Sequence, residues 1–240
     1  MTGGTKGIGR GIVQEFINQG ARVLFVARNG ADIERTEKEL PDGSSMGISA
    51  DISAKGGRQQ LVSRIRDEVD KLDIFVQNAG TNIWGLIHEI PEKDFETVLH
   101  TNFVSAYDLS GKLFPLLKAA GNASMLLISS VAGIGHIPTG SAYGTSKAAM
   151  IQLAKNLAVE WGPYGIRVNV IAPWYTDTPL VKKALEDKAY KARVLEQTPL
   201  GRIGEPREIA AVAAFLSMPA ASFITGQCIA ADGGMSVKML

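Results

Sequence analysis

Short apolar runs alternating with amphipathic helical stretches constrain this chain more than any other feature. RVLFVAR, SMGISAD, DIFVQNAG, SMLLISS, RVNVIAP and GQCIAAD each hold a brief β-like core. Val23 to Ala27 run apolar without polar alternation, the pattern of a strand covered by helices on both faces. Between such runs, LVSRIRDEVDKL and PEKDFETVLHTNFVSAYDLSGKLFPLLKAA bring apolar residues round at helical spacing. Strand and helix in alternation predict an α/β fold with a doubly wound, mostly parallel, Rossmann-like sheet. No fixed repeat, low-complexity segment or linker divides the chain, so residues 1–240 are expected to form a single domain. The weakly patterned stretch from about 172 to 205 is the expected lid, since loops after strands carry function in this architecture.

The charge balance, 25 basic against 24 acidic residues without a run of one sign, points away from nucleic acid and from a membrane surface and toward a small ligand. No uninterrupted apolar stretch reaches the length of a membrane span. The lone Cys228 lies in an apolar run and reads as core filler in a reducing, cytoplasmic setting.

The chain opens MTGGTKGIGR, with Gly3, Gly7 and Gly9 spaced G-x-x-x-G-x-G and running into a helix that starts near Ile8. Such a turn brings backbone close to a pyrophosphate and aims the free N–H groups of a helix start at it. An NAD site places an acid after the second strand to bind the ribose hydroxyl, whereas RVLFVAR ends in Arg28, which suits a 2′-phosphate. Lys6 adds a second positive charge and Asp32 could blunt Arg28, so the expected cofactor is NADP(H).

In SAYGTSKAAMIQLAKNLAVEWG, Tyr143 and Lys147 stand four residues apart, hence on one helix face. A phenol with an ordinary pKa of about 10 is a weak acid, and a fixed ammonium would favour its phenolate. Ser130 ends the strand SMLLISS at the edge where such sheets bind ligands, so its hydroxyl could share a substrate oxygen with Tyr143. His88 and His100 have no partner at metal-ligand spacing, and no metal is expected.

These pieces together, with DI at Asp51, NAG at Asn78, TN at Thr101, ITGQ and ADGG, resemble a short-chain dehydrogenase/reductase over essentially the whole chain. The resemblance implies that Tyr143 is the acid/base, that Lys147 lowers its pKa and binds the nicotinamide ribose, that Ser130 orients the carbonyl, and that Asn102 supports a proton relay. It implies a cofactor lying against Gly3, Thr5, Lys6, Gly7, Ile8 and Gly9, with Asp51 and Ile52 at the adenine. Asn78, Ala79, Gly80, Pro173 and Thr176 would line it further along, with Thr178 at the carboxamide. APWYT, TGGTKGIG and VEWGPYGIRVN look most like the tropinone reductase-like branch, whose substrates are cyclic or bulky ketones. Trp174, Tyr175 and His136 are then the expected substrate pocket.

Three positions depart from the family pattern. Only Met1 precedes the glycine turn where the family has its first strand, Gln77 replaces the first asparagine of Asn-Asn-Ala-Gly, and Trp174 stands where glycine is common. The resemblance also implies a homotetramer, or a homodimer, joined through helices around 92–118 and 142–161. Two alternatives remain: a 3-oxoacyl-carrier-protein reductase, for which Lys182, Lys183, Lys188, Lys191 and Arg193 would form a basic mouth, and a non-catalytic cofactor-binding relative.

Overall fold

The computed structural model describes residues 1–138 and 140–238. The glycine turn leads into α1 (Gly7–Asn18), which Gly20 ends at φ +86, followed by β1 (Val23–Ala27), α2 (Gly30–Lys38) and β2 (Ser45–Ser49). Then come α3 (Lys55–Glu68), β3 (Ile74–Gln77), α4 (Glu92–Leu99) and α5 (Ser105–Ala120), the last two joined by a π-helical turn, His100–Val104. The second half runs β4 (Ala123–Ile128), α6 (Ser141–Trp161), β5 (Ile166–Pro173), α7 (Pro179–Glu186), α8 (Lys188–Gln197), α9 (Pro206–Ser217) and β6 (Cys228–Ala231).

All strand pairings are parallel, β1 with β2 on one side and β3-β4-β5-β6 on the other. Met1 and Thr2 stand between the two parts. The Met1 amino group donates to the Leu24 carbonyl, Val26 N–H donates to the Met1 carbonyl, and Thr2 N–H donates to the Val76 carbonyl. These two residues carry the backbone bonds that link β1 to β3.

Strand β4 is buried at every residue. Its alternate side chains serve two cores: Met125 and Leu127 pack with Leu61, Leu109, Leu113, Met150 and Leu157 on one face, while Leu126 and Ile128 pack with Ile12, Val13, Phe25, Ile171 and Ala213 on the other. That is the period-two geometry of a strand covered on both faces. The chain leaves Thr2 outward to β1 and β2, then returns to β3, so the winding reverses at the glycine turn, and the loops that follow the strands gather there.

Candidate active site

One cavity of about 610 Å³ opens at the carboxyl ends of the strands. Every expected site residue lines it except Asn102 and His136. His136 is exposed and its neighbour Ile137 faces the cavity instead, so the structure removes His136 from the pocket.

The glycine turn is shaped by contacts that leave no room for side chains. A Cβ on Gly9 would lie 1.9 Å from the Gly3 carbonyl oxygen, and one on Gly3 would lie 2.8 Å from Asn78 Nδ2. Gly7 has φ +53 and backs onto Thr178, the residue before α7. Asn78 Nδ2 donates to the carbonyls of Thr2 and Gly3, which holds the turn against the end of β3. Thr2 is the residue that sequence reasoning missed. Its buried hydroxyl donates to Gln77 Oε1 at 3.0 Å and accepts from the N–H groups of Asn78 and Ala79. Gln77 Nε2 reaches on to Ser105 Oγ on α5 at 3.0 Å, a span that the longer side chain makes possible at this departure from the family pattern. No side chain caps α1, so the N–H groups of its first turn face the cavity.

At the far side of β1, Arg28 is exposed at the cavity rim. Asp32 does not turn toward it: Lys6 pairs with Asp32 at 2.6 Å, and Arg35 also holds that carboxylate. Hydrogen bonding to Lys6, with a smaller share from Arg35, keeps Asp32 below the usual carboxylate range despite partial desolvation.

Ser130 and Tyr143 both line this cavity, Ser130 after the end of β4 and Tyr143 in the first turn of α6. At Gly133 a Cβ would lie 2.7 Å from the backbone of Lys147, so the 3-10 turn Val131–Gly133 rests directly on α6. Ser130 Oγ accepts from Ala132 N–H, and Ser129 Oγ donates to the Lys147 carbonyl, fastening the end of β4 to α6. Burial raises the Tyr143 hydroxyl above its ordinary value, and the neighbouring Ser130 side chain offsets part of that rise. The expected lowering by Lys147 does not dominate, because Lys147 is itself 3 % exposed and turned elsewhere. Its Nζ donates to the Ile128 carbonyl at 2.8 Å, past the last residue at which β3 pairs with β4, and lies 5.7 Å from the centre of the Tyr143 ring. Desolvation pulls the ammonium down to a pKa of about 8.

Asn102 sits in the π-helical turn behind the cavity wall. Its Oδ1 accepts from Thr81 N–H, while its Nδ2 donates to the Thr81 carbonyl and to Ser146 Oγ. It therefore holds the loop after β3 against α6 rather than facing the cavity. Trp174 and Tyr175 line the opposite wall, edge to face at 4.7 Å between ring centres. Trp174 Nε1 donates to Thr198 Oγ1 just after α8, and the Tyr175 hydroxyl bonds with the hydroxyl of Tyr190 on α8. Among the described residues no group of His, Cys, Asp or Glu could hold a metal ion, and no helix is long and apolar enough to cross a membrane.

A family model described as Enoyl-(Acyl carrier protein) reductase matches residues 3–236. A tropinone reductase homolog of Arabidopsis thaliana is 41% identical over 241 residues, covering 99% of this chain and 91% of that one. The chain belongs to the short-chain dehydrogenase/reductase family, in its tropinone reductase-like branch. Senescence-associated protein 13 of the same plant is 42% identical over 99% of this chain and 89% of its own length. Pseudomonas aeruginosa RhlG, solved as an NADP active-site complex, superposes with a TM-score of 0.92 at 35% identity, covering 98% of this chain and 94% of that one. As a short-chain dehydrogenase/reductase, the protein is an NAD(P)-dependent oxidoreductase acting on alcohol or ketone groups. Its residues fit a nicotinamide dinucleotide: glycines that a Cβ would block, an uncapped helix start and a cationic rim all face one cavity.

Proposed function

We propose that this short-chain dehydrogenase/reductase is an NADPH-dependent ketone reductase, reversibly an alcohol dehydrogenase, in which Tyr143 protonates the substrate oxygen. The observation that carries this reading is that Ser130, Tyr143 and Lys147 line one cavity, with Lys147 one helical turn beyond Tyr143 along α6. When bound, the reduced nicotinamide supplies hydride. Two hydroxyls lining one cavity can share one carbonyl oxygen, so Ser130 fixes its direction while Tyr143 gives its proton to the alkoxide as charge develops. Lys147 would hold the cofactor ribose, its Nζ lying 5.7 Å from the centre of the Tyr143 ring. Asn102 acts as a positioning residue through Thr81 and Ser146.

Support for NADPH over NADH comes from Arg28. Among the described residues it pairs with no carboxylate, since Asp32 is taken by Lys6 and Arg35. The NADP named in the RhlG complex agrees with this choice. The substrate end is lined by Trp84, Ile137, Trp174, Tyr175, Leu180 and Val181, none of which carries a charge at neutral pH. That lining supports a neutral, bulky ketone, with α7 and α8 as the lid over it. A second reading, 3-oxoacyl-carrier-protein reductase, draws on the exposed Lys182, Lys183, Lys188 and Lys191 of those helices. Comparing turnover of a carrier-bound and a free ketone separates the two.

Tyr143→Phe tests the central claim. Ketone-dependent NADPH oxidation should fall at least about 100-fold, while NADPH still binds within about twofold of the unsubstituted affinity. Near-normal turnover by the variant would overturn the assignment.

A further inference from the structure

We propose that Arg58 is a positioning residue for the adenosine half of the cofactor, acting by holding the Asp51–Ser53 turn in place. The inference rests on the dinucleotide reading above. Arg58 lies in the first turn of α3 and is 5 % exposed, on a helix whose other cations, Lys55, Arg64 and Arg66, are exposed. Burying a guanidinium is costly unless its donors are met. Here Nη1 donates to two successive carbonyls, Ile52 at 2.9 Å and Ser53 at 2.8 Å, while Nε donates to Asp108 Oδ2 on α5 at 2.7 Å. Asp108 is secured in turn by Lys112 at 2.8 Å. Burial would raise Asp108, but hydrogen bonds from Lys112 and Arg58 keep it below the usual range, so it stays a full counter-charge.

The two carbonyls that Arg58 grips belong to the turn leaving β2, and Asp51 and Ile52 of that turn line the cavity next to Arg28. The turn is tightened from two more sides. A Cβ on Gly57 would come within 2.0 Å of the Asp51 carbonyl oxygen, so α3 presses directly on the Asp51 backbone. Ser53 donates from its N–H and its hydroxyl to Asp51 Oδ1, at 3.0 and 2.7 Å. Arg58 is thus anchored on α5, beneath the sheet, and sets the height of the cavity floor at the end away from Ser130 and Tyr143. The planar fork matters: a lysine at this position could keep the charge near Asp108 but could not span both carbonyls and the carboxylate.

The test compares the unsubstituted chain with Arg58→Lys and Asp108→Asn, each checked for folding by circular dichroism. Calorimetry gives the dissociation constants of NADPH and of adenosine 2′,5′-bisphosphate, and assays compare turnover with NADPH and with reduced nicotinamide mononucleotide, which lacks the adenosine half. Arg58→Lys should weaken both adenosine ligands about tenfold or more, an effect of about 1.4 kcal/mol. Its turnover at saturating NADPH, and its rate with the mononucleotide, should stay within about twofold of the unsubstituted values. Asp108→Asn should shift the same constants in the same direction by a smaller factor, and it decides the matter if Arg58→Lys does not fold. Unchanged adenosine-ligand affinity in the folded variants overturns the proposal, as does an equal loss with the mononucleotide. Failure of the unsubstituted chain to bind either adenosine ligand would instead overturn the dinucleotide reading on which it rests.

Discussion

Replacing Lys147 by methionine should remove turnover and, at the same time, change how stability depends on pH. The folded protein holds this ammonium at a pKa of about 8 against an ordinary 10.5, because burial strips it of water and its hydrogen-bond acceptors are the Ile128 carbonyl and, weakly, Met150 Sδ. The difference corresponds to about 3 kcal/mol of charge-burial cost, present in full below pH 8. Between the two pKa values the folded form has released the proton and the unfolded form still carries it. Stability of the unsubstituted chain therefore rises with pH across that window and is lost as pH falls through about 8. Methionine has similar length and no charge, so the variant lacks this term. It does leave the Ile128 carbonyl without its donor, at a cost of about 1–3 kcal/mol that does not vary with pH. Tyr143, its pKa raised by burial, stays neutral in this range and does not obscure the comparison. Urea denaturation of both proteins at steps from about pH 7 to about pH 10 gives the gap between them. Going from about pH 8 to about pH 10, the gap should move by about 2 kcal/mol in favour of the unsubstituted chain. A gap that does not change with pH would refute the claim that Lys147 is a desolvated charge.

Two further predictions concern the cofactor end. Arg28→Asp should reverse the ratio of NADPH to NADH affinities, read by calorimetry, because the rim then repels a 2′-phosphate and offers an acceptor to a ribose hydroxyl; an unchanged ratio removes Arg28 from that role. Gly9→Ala should abolish NADPH binding and lower unfolding stability by at least about 2 kcal/mol, since its Cβ would lie 1.9 Å from the Gly3 carbonyl oxygen; a variant that binds normally would show that the turn can open.

Much of this was legible in the residues because it depends on local periodicity. The unbroken apolar run of β4, the four-residue spacing of Tyr143 and Lys147, and the glycines entering α1 each specify their own geometry. The stretch expected as a lid, 172–205, was legible only as a gap in pattern. It folds as two helices of 8 and 10 residues, too short to display a stripe, with Asp187 between them accepting from the N–H groups of Ala189 and Tyr190. Arg58 was not legible at all. An arginine in a polar helix reads as solvated, and only the packing of α3 onto the Asp51 turn buries it. The same holds for the direction of Lys147, set by a carbonyl left over where β3 ends, and for His136, which sequence proximity placed in a pocket that it does not face.

The π-helical turn at His100–Val104 sets one last constraint on this chain. An added residue in a helix rotates everything beyond it by about 100°, so the buried stripes of α4 and α5 are out of phase with each other. Val98 and Leu109 both reach the interior across this offset, and Asn102, inside it, turns toward Thr81 and Ser146. What the segment must conserve is therefore a residue count. Exchanging one side chain for another disturbs a single contact, whereas losing one residue would realign the two stripes and carry Asn102 away from both of its partners.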